Sequence, residues 1–422
     1  MYGGAEICEM GSHMPAIDTG STAWMLVSTA MVLFMTPGLA LFYAGMVRRK
    51  NVLSTTMHSF FAMGLVTVIW ALVGYTLAFG PDKGGLIGGL QHLGLAGVLG
   101  AVSGTGAAAI PTSVFAMYQG MFAIITVGLI TGAVAERMKF KAYVIFAALW
   151  AVLVYSPLAH WVWGGGWLMK FGALDFAGGT VVHIASAAAA LAAAMVLGRR
   201  RGYGTDELRP HNIPMSVLGA GILWFGWFGF NAGSALASGQ LAGSAFLATN
   251  LAAAAGLLAW NLAEVLTEGK PTVLGAASGA VAGLVGITPG AGFVGPLAAL
   301  AIGAVVGCLC FFGLKLKSRF GFDDALDVVG VHGVGGTTGA LLTGVFASLA
   351  VNSAGADGLL SGGGFTLLGK QFVGVGATIA FSFIVSFIIL KLLDATMGIR
   401  VSEDAEIAGL DIAEHAETGY EL

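Results

Sequence analysis

Apolar runs separated by short polar connections recur along almost the whole chain, roughly at 21–47, 56–79, 112–135, 142–160, 177–197, 213–233, 242–266, 272–288, 293–316, 328–350 and 366–394. Near-uncharged runs of about twenty residues are long enough to cross a bilayer as helices. The pattern predicts an all-α integral membrane protein with eleven transmembrane helices, spanning 21–395, between an N-terminal tail at 1–20 and a C-terminal tail at 396–422.

The polar connections orient these helices. Those after odd-numbered runs carry Arg48, Arg49, Lys50; Arg137, Lys139, Lys141; Arg199, Arg200, Arg201, Arg209; Lys270; Lys315, Lys317, Arg319; and Lys391, Arg400, which is 16 of the 19 Lys+Arg. The other side holds only Lys83, Lys170 and Lys370. Because cytoplasmic loops keep the excess of basic residues, the N-terminus is expected outside and the C-terminus in the cytoplasm. Eleven runs divide as five, five and one. An odd number per repeat turns the second copy upside down, so an inverted five-helix repeat plus one extra helix is expected, a layout that recurs in transporters with a midplane site. The halves are only weakly alike in sequence, so the repeat rests on the span count and on two histidines.

Those histidines are His183, in the fifth run after Asp175, and His332, in the tenth after Asp327, both in a Val/Gly setting. A titratable ring inside hydrocarbon is costly and normally faces a path or a buried partner. The pairing predicts a shared intramembrane site; the other reading is two core histidines tied to backbone carbonyls.

Composition narrows the class further. Of 422 residues, 57% are hydrophobic and 10% charged, against about 25% charged in soluble domains. Seven of the 67 glycines fall in sets at four-residue spacing (Gly128 and Gly132; Gly275, Gly279 and Gly283; Gly303 and Gly307), which suits close helix contacts. A net charge of -3 offers no nucleic-acid footprint. Cys308 and Cys310 point apart on one helix and Cys8 lies in the tail, so neither disulfide, metal site nor cofactor is expected. With no nucleotide-binding Gly-rich loop and no nucleophile–base set outside the runs, an enzyme is disfavoured. Gly11-Ser12-His13-Met14 looks like a protease-cleavage scar and is kept out of fold reasoning. The stretch before the first run carries Glu6, Glu9 and Asp18 without an apolar core, so no cleavable signal peptide is visible there: either none exists or it has been removed.

Candidate chemistry clusters toward one end of the runs. The fourth closes in Ser156-Pro-Leu-Ala-His-Trp-Val-Trp163-Gly-Gly-Gly-Trp167, where glycines allow a turn that aims Trp163 inward. Tyr118 and Phe122, four apart on the third run, share a face. The sixth offers Trp227, Phe230 and Ser234. Ring faces attract a small cation and a hydroxyl accepts its hydrogen bond. Singly, each ring reads as ordinary core, or near Trp163 as an interfacial belt; together with two buried histidines they point to a conduction path.

Four stretches then carry a resemblance: Thr36-Pro-Gly-Leu-Ala-Leu-Phe-Tyr-Ala-Gly-Met-Val-Arg-Arg-Lys-Asn51, Asp175-Phe-Ala-Gly-Gly-Thr-Val-Val-His183, Gly226-Trp-Phe-Gly-Phe-Asn-Ala-Gly-Ser234 and Val331-His-Gly-Val-Gly-Gly336. The chain resembles the ammonium transporter (Amt/Mep/Rh) family, prokaryotic Amt branch, from about Ser21 into the tail. The resemblance implies a homotrimer with one pore per subunit in the plasma membrane. It assigns Trp163, Phe122 and Ser234 to recruitment of the ammonium ion, Tyr118 and Phe122 to a stacked gate below, and Trp227 and Phe230 to the path. His183 and His332 become twin pore histidines. Tyr118 replaces the commoner Phe at its position, keeping a ring and adding a hydroxyl. Asp175 matches an aspartate near the entry; its place at a span start fits a helix cap as well as substrate contact. Ammonium, ammonia and methylammonium are the implied cargo, and a PII-type signal protein is the implied partner of the tail. Composition alone reads the tail as solvated and acidic. Rival readings are an ammonium sensor and a passive Rh-type gas channel; the absence of a fused signalling domain and the aromatic set around Trp163 weigh against them.

Overall fold

The computed structural model describes residues 16–421, so the cleavage-scar stretch lies outside the described residues. Among the described residues, nine helices are long and apolar enough to cross a membrane. In chain order the helices are α1 (Thr19–Met46), α2 (Arg49–Phe79), α3 (Thr112–Val134), α4 (Phe140–Phe171), α5 (Gly179–Leu197), α6 (Ile213–Ala232) and α7 (Gln240–Glu268). They continue as α8 (Val273–Ile287), α9 (Pro296–Phe320), α10 (Val329–Gly333 with Val334–Phe346) and α11 (Thr366–Met397). Two of the eleven expected runs are not among these nine, α8 because it is short and α10 because His332 and its many glycines make it less apolar. Helix α8 has 15 residues, and Pro289, which lacks an N–H to extend the ladder, follows shortly. Helix α10 opens in a wide turn.

Small residues set the packing. A Cβ at Gly219 would meet Phe42 N at 2.3 Å and Gly38 O at 2.5 Å, so α1 and α6 touch through their backbones. A Cβ at Gly303 would lie 2.2 Å from Ala252 O, and one at Gly307 would lie 2.5 Å from Gly256 O, locking α9 onto α7. The glycine faces are therefore helix contacts, which are tight because lipid supplies no hydrophobic force between helices. Helices α3 and α5, each 83% buried over its apolar window, form the centre.

Five wide turns interrupt the helices: Trp70–Gly74, Ala151–Tyr155, Gly179–Ile184, Phe228–Ala232 and Val329–Gly333. Such turns add a residue to the helical repeat and occur often at functional positions. Three of them carry His183, Phe230 and His332.

The connection between α2 and α3 departs from the all-α expectation, with two short antiparallel ladders, Asp82–Lys83 with Ile87–Gly88 and Val102–Ser103 with Ile110–Pro111. Asp18 N donates to Ala109 O in this same connection (2.8 Å). The C-terminal tail packs at the opposite end of the bundle. It is not the solvated segment that composition suggests, because its acids find backbone amides to cap. Asp411 Oδ1 accepts from Ser54 N (2.8 Å), Glu414 Oε2 from Phe140 N (2.9 Å) and Glu406 Oε1 from Arg201 N (2.6 Å). Beneath it, the buried Glu136 receives Arg48 Nε (3.0 Å) and Arg200 Nη1 (2.9 Å), and Arg200 also pairs with Asp323 (2.8 Å).

Candidate functional site

Two cavities lie in line along the bundle. The wider, of ≈ 300 Å³, opens at the Trp163 end and is lined by Trp163, Phe122, Ser234, Gln119 and Phe176 among others. The narrower, of ≈ 20 Å³, is lined by Phe230, Trp227, His183, His332, Tyr43 and, at its far end, Asp327. That is room for about one water-sized molecule at a time. Phe122 faces the first cavity and Phe230 the second; they stack at 4.3 Å with planes 26° apart, so a double layer of rings separates the two.

The wide turn at Phe228–Ala232 delivers Phe230 to that position. The expected stacking of Tyr118 on Phe122 takes another form. Tyr118 meets Phe122 edge-on, at 5.0 Å and 64°, and lines neither cavity. Its hydroxyl is held behind the ring by Gly229 O and Phe230 O (2.9 Å each) and lies 3.2 Å from Ser234 Oγ. The shared face of Tyr118 and Phe122 is real, but the hydroxyl turns Tyr118 toward the carbonyls of the α6 turn.

Trp163, Phe122 and Ser234 do come together. Trp163 stands edge-on to Phe122 at 5.9 Å. Its Nε1–H is spent on Asp175 O (2.9 Å), which leaves the ring face as its means of attraction. Ser234 Oγ donates to Phe230 O (2.8 Å); with its proton committed, its lone pairs act as an acceptor. The site thus offers π faces and one acceptor oxygen, a set suited to a small cation that can donate a hydrogen bond.

Asp175 serves the backbone. Its Oδ1 accepts from Gly178 N and Gly179 N (2.7 Å each), and its Oδ2 from Thr180 N (2.7 Å), Val181 N (3.2 Å) and the Thr180 hydroxyl. The carboxylate thereby satisfies the first free amides of α5. It lines neither cavity, so of its two readings the geometry favours the cap.

Below the ring layer, His183 Nδ1 and His332 Nδ1 lie 3.2 Å apart, both rings buried. Each sits in the wide turn that opens its helix, α5 or α10. In α10 the carboxylate that holds the turn is Asp324, whose Oδ2 accepts from Val329 N (2.6 Å), whereas Asp327 pairs with Lys317 and faces the narrow cavity. Trp227 stacks on His183 at 5.5 Å. Sequence reasoning missed Thr288, whose Oγ1 accepts from Trp227 Nε1 (2.9 Å), donates to Leu284 O (2.7 Å) and lies 3.3 Å from His183 Nε2. A hydroxyl just past the end of the mostly apolar run 273–287 is the signal that marks it.

Two in-line cavities, a ring layer between them and a histidine pair in the narrow one, all inside a helical bundle, define a polytopic membrane protein with an enclosed path for a small solute. Comparisons agree. A sequence profile of the Ammonium Transporter Family matches residues 23–420. An "Ammonium transporter" of Bacillus subtilis (strain 168) is 53% identical over 406 residues, covering 96% of this chain and 99% of the relative. The crystal structure of Candida albicans Mep2 superposes with a TM-score of 0.86 at 38% identity, over 92% of this chain and 87% of that one. A structure titled "Sensor Amt Protein" gives a TM-score of 0.85 at 28% identity, over 94% and 98%. The chain belongs to the ammonium transporter family.

Proposed function

We propose that the protein carries ammonium across the plasma membrane. The cation is held outside against Trp163, Phe122 and Ser234 and releases its proton at or below the Phe122–Phe230 stack. Ammonia then crosses the narrow cavity past Trp227, Phe230, His183 and His332, and the proton has a separate route along the histidines and water. Tyr118 backs the gate by fixing Phe122 and Ser234, and Asp175 supports the entrance by capping α5. The observation that carries this reading is the narrow cavity, which has room for about one water-sized molecule, is lined mostly by apolar side chains and holds two facing imidazoles, with Ser278 and the Lys317-paired Asp327 also on its wall. Burial disfavours the charged form of an ammonium-type group, and potassium has no proton to give up, so it is rejected. Methylammonium is a further cargo.

Eleven spans, N-terminus outside and C-terminus inside, arranged as an inverted five-helix repeat plus α11, fit both the basic-residue asymmetry and the docking of the two chain ends at opposite ends of the bundle. The assembly is a homotrimer with one pore per subunit, and a PII-type protein engages the tail side. The test is purified protein in liposomes under an ammonium gradient, with current and internal pH recorded. Ammonium-dependent flux without a matching potassium flux is expected; no flux above empty liposomes overturns the reading and favours a sensor.

A further inference from the structure

One charged cluster near the Trp163 end touches neither cavity. His160, the third residue before Trp163, has a fully buried side chain. Its Nδ1 lies 2.9 Å from Ala78 O and its Nε2 lies 2.9 Å from Asp82 Oδ1. Asp82 also accepts from Lys170 Nζ (2.6 Å) and Gly85 N (2.7 Å). The His160 hydrogen bond, joined by Lys170, holds the Asp82 carboxyl well below the usual carboxylate range. An ionised carboxylate and a carbonyl are both acceptors only, so each ring nitrogen of His160 faces an acceptor.

This pair joins two pieces of chain. One is the Asp82–Gly88 hairpin; the other is the turn that carries Trp163. The turn folds back on His160 itself, whose carbonyl accepts from Gly164 N (3.1 Å) and Gly166 N (2.9 Å). Gly164 is pressed onto the same Ala78 carbonyl that the ring binds: a Cβ there would lie 1.9 Å from that oxygen. Trp161 Nε1 donates to Leu86 O (2.8 Å) and Trp167 N to Gly85 O (2.9 Å), so the hairpin is fastened on both sides of Trp163.

We propose that His160 and Asp82 are positioning residues for cation capture: their charged hydrogen bond clamps the hairpin to the Trp163 turn and sets the indole against Phe122. Neither residue touches the cargo. The inference rests on the reading that Trp163 captures the cation. Because the indole works through its ring face, attraction depends on how that face is presented, and a loosened turn degrades it without obstructing the path below.

The experiment measures half-saturation and maximal rate of methylammonium uptake for wild type, Asp82→Asn, His160→Leu, Trp163→Leu and the Asp82→Asn/Trp163→Leu double variant. Asp82→Asn keeps the shape and one acceptor oxygen and removes the charge. The expected result is a half-saturation raised roughly two- to thirtyfold in Asp82→Asn and His160→Leu, with little change in maximal rate, and no further rise in the double variant. Wild-type half-saturation in Asp82→Asn, or effects that multiply in the double variant, overturns the clamp. An unshifted Trp163→Leu instead overturns the capture reading. If Asp82→Asn and His160→Leu both fail to assemble, the exposed Lys170→Met decides; its assembly with wild-type half-saturation makes the cluster purely structural and overturns the proposal.

Discussion

His183 and His332 face each other Nδ1 to Nδ1 at 3.2 Å, and the far nitrogen of His183 lies 3.3 Å from the Thr288 hydroxyl. Two nitrogens at that distance share one proton. Thr288 has given its own proton to Leu284 O, so toward His183 it can only accept. That places a hydrogen on His183 Nε2, makes His183 Nδ1 the acceptor, and leaves His332 to donate from Nδ1 with a bare Nε2. One hydroxyl outside the pair orders the whole chain of tautomers.

Thr288→Val is therefore expected to act on both stability and flux. Trp227 Nε1–H and His183 Nε2–H each lose a buried acceptor, at a cost of about 1–3 kcal/mol per donor. Ammonium flux should fall while Thr288→Ser restores it. Thermal unfolding and liposome flux measured together check this; wild-type values of both in Thr288→Val contradict it.

His183→Asp and His332→Glu should retain some transport and lose selection. Asp327 already faces this cavity, but it is paired with Lys317; a carboxylate in place of an imidazole has no such partner and can hold a bare cation. The preference for ammonium over potassium should therefore drop by about tenfold or more, since such a contact at low dielectric exceeds 1.4 kcal/mol. Currents in the two ions are the measurement. Assembled variants with wild-type selectivity and flux would remove the pair from the path.

Trp163→Leu should weaken capture by roughly 0.5–2 kcal/mol, the worth of one cation–π contact. Transport persists, because Phe122 and Ser234 still line the entrance. Uptake across an ammonium concentration series separates affinity from rate; no change in either would make Trp163 an interfacial anchor.

Asp324 supplies a pH signature on the tail side. Burial, then the neighbouring Asp327 carboxylate, push its carboxyl up to about 6, with Lys317 opposing. A raised folded-state value means that the folded protein binds this proton more tightly than the unfolded chain. Its contribution to stability is fully present below the ordinary carboxylate value and is lost as pH rises through about 6. Asp324→Asn keeps an acceptor for Val329 N, so it should unfold at higher temperature than wild type at pH about 7.5 and flatten the pH dependence around 6. Thermal scans across pH test it; parallel curves for the two proteins would contradict the assignment.

Much of the site was legible in the sequence because it is written in residue types that membranes rarely tolerate. His183 and His332 stood out against Val and Gly, and Trp163, Phe122 and Ser234 were found on converging helices. The identity of the stacked pair was hidden, because helical periodicity puts Tyr118 and Phe122 on one face while the wide turn in α6 brings Phe230 across from elsewhere. Asp327 drew notice for its spacing before His332, yet Asp324 holds that turn; the positive φ of Asp327, 62°, redirects its side chain and is invisible to pattern reading. The apolar content of α8 marks it as a helix of the bundle, whereas its short length, with Pro289 close behind, is not visible in that pattern. The docking of the tail was missed because acidic residues look solvated until a backbone amide is found for each.

That docking bears on how the molecule is completed. Ser54 N and Phe140 N lie at the starts of α2 and α4, and their acceptors, Asp411 and Glu414, come far later in the chain, beyond α11. Until the segment beyond α11 has been made, the starts of α2 and α4 keep two amides without these acceptors. A chain lacking the segment from Asp411 on would thus leave both helix starts without these side-chain caps, so the tail works as a late fastening between α2 and α4.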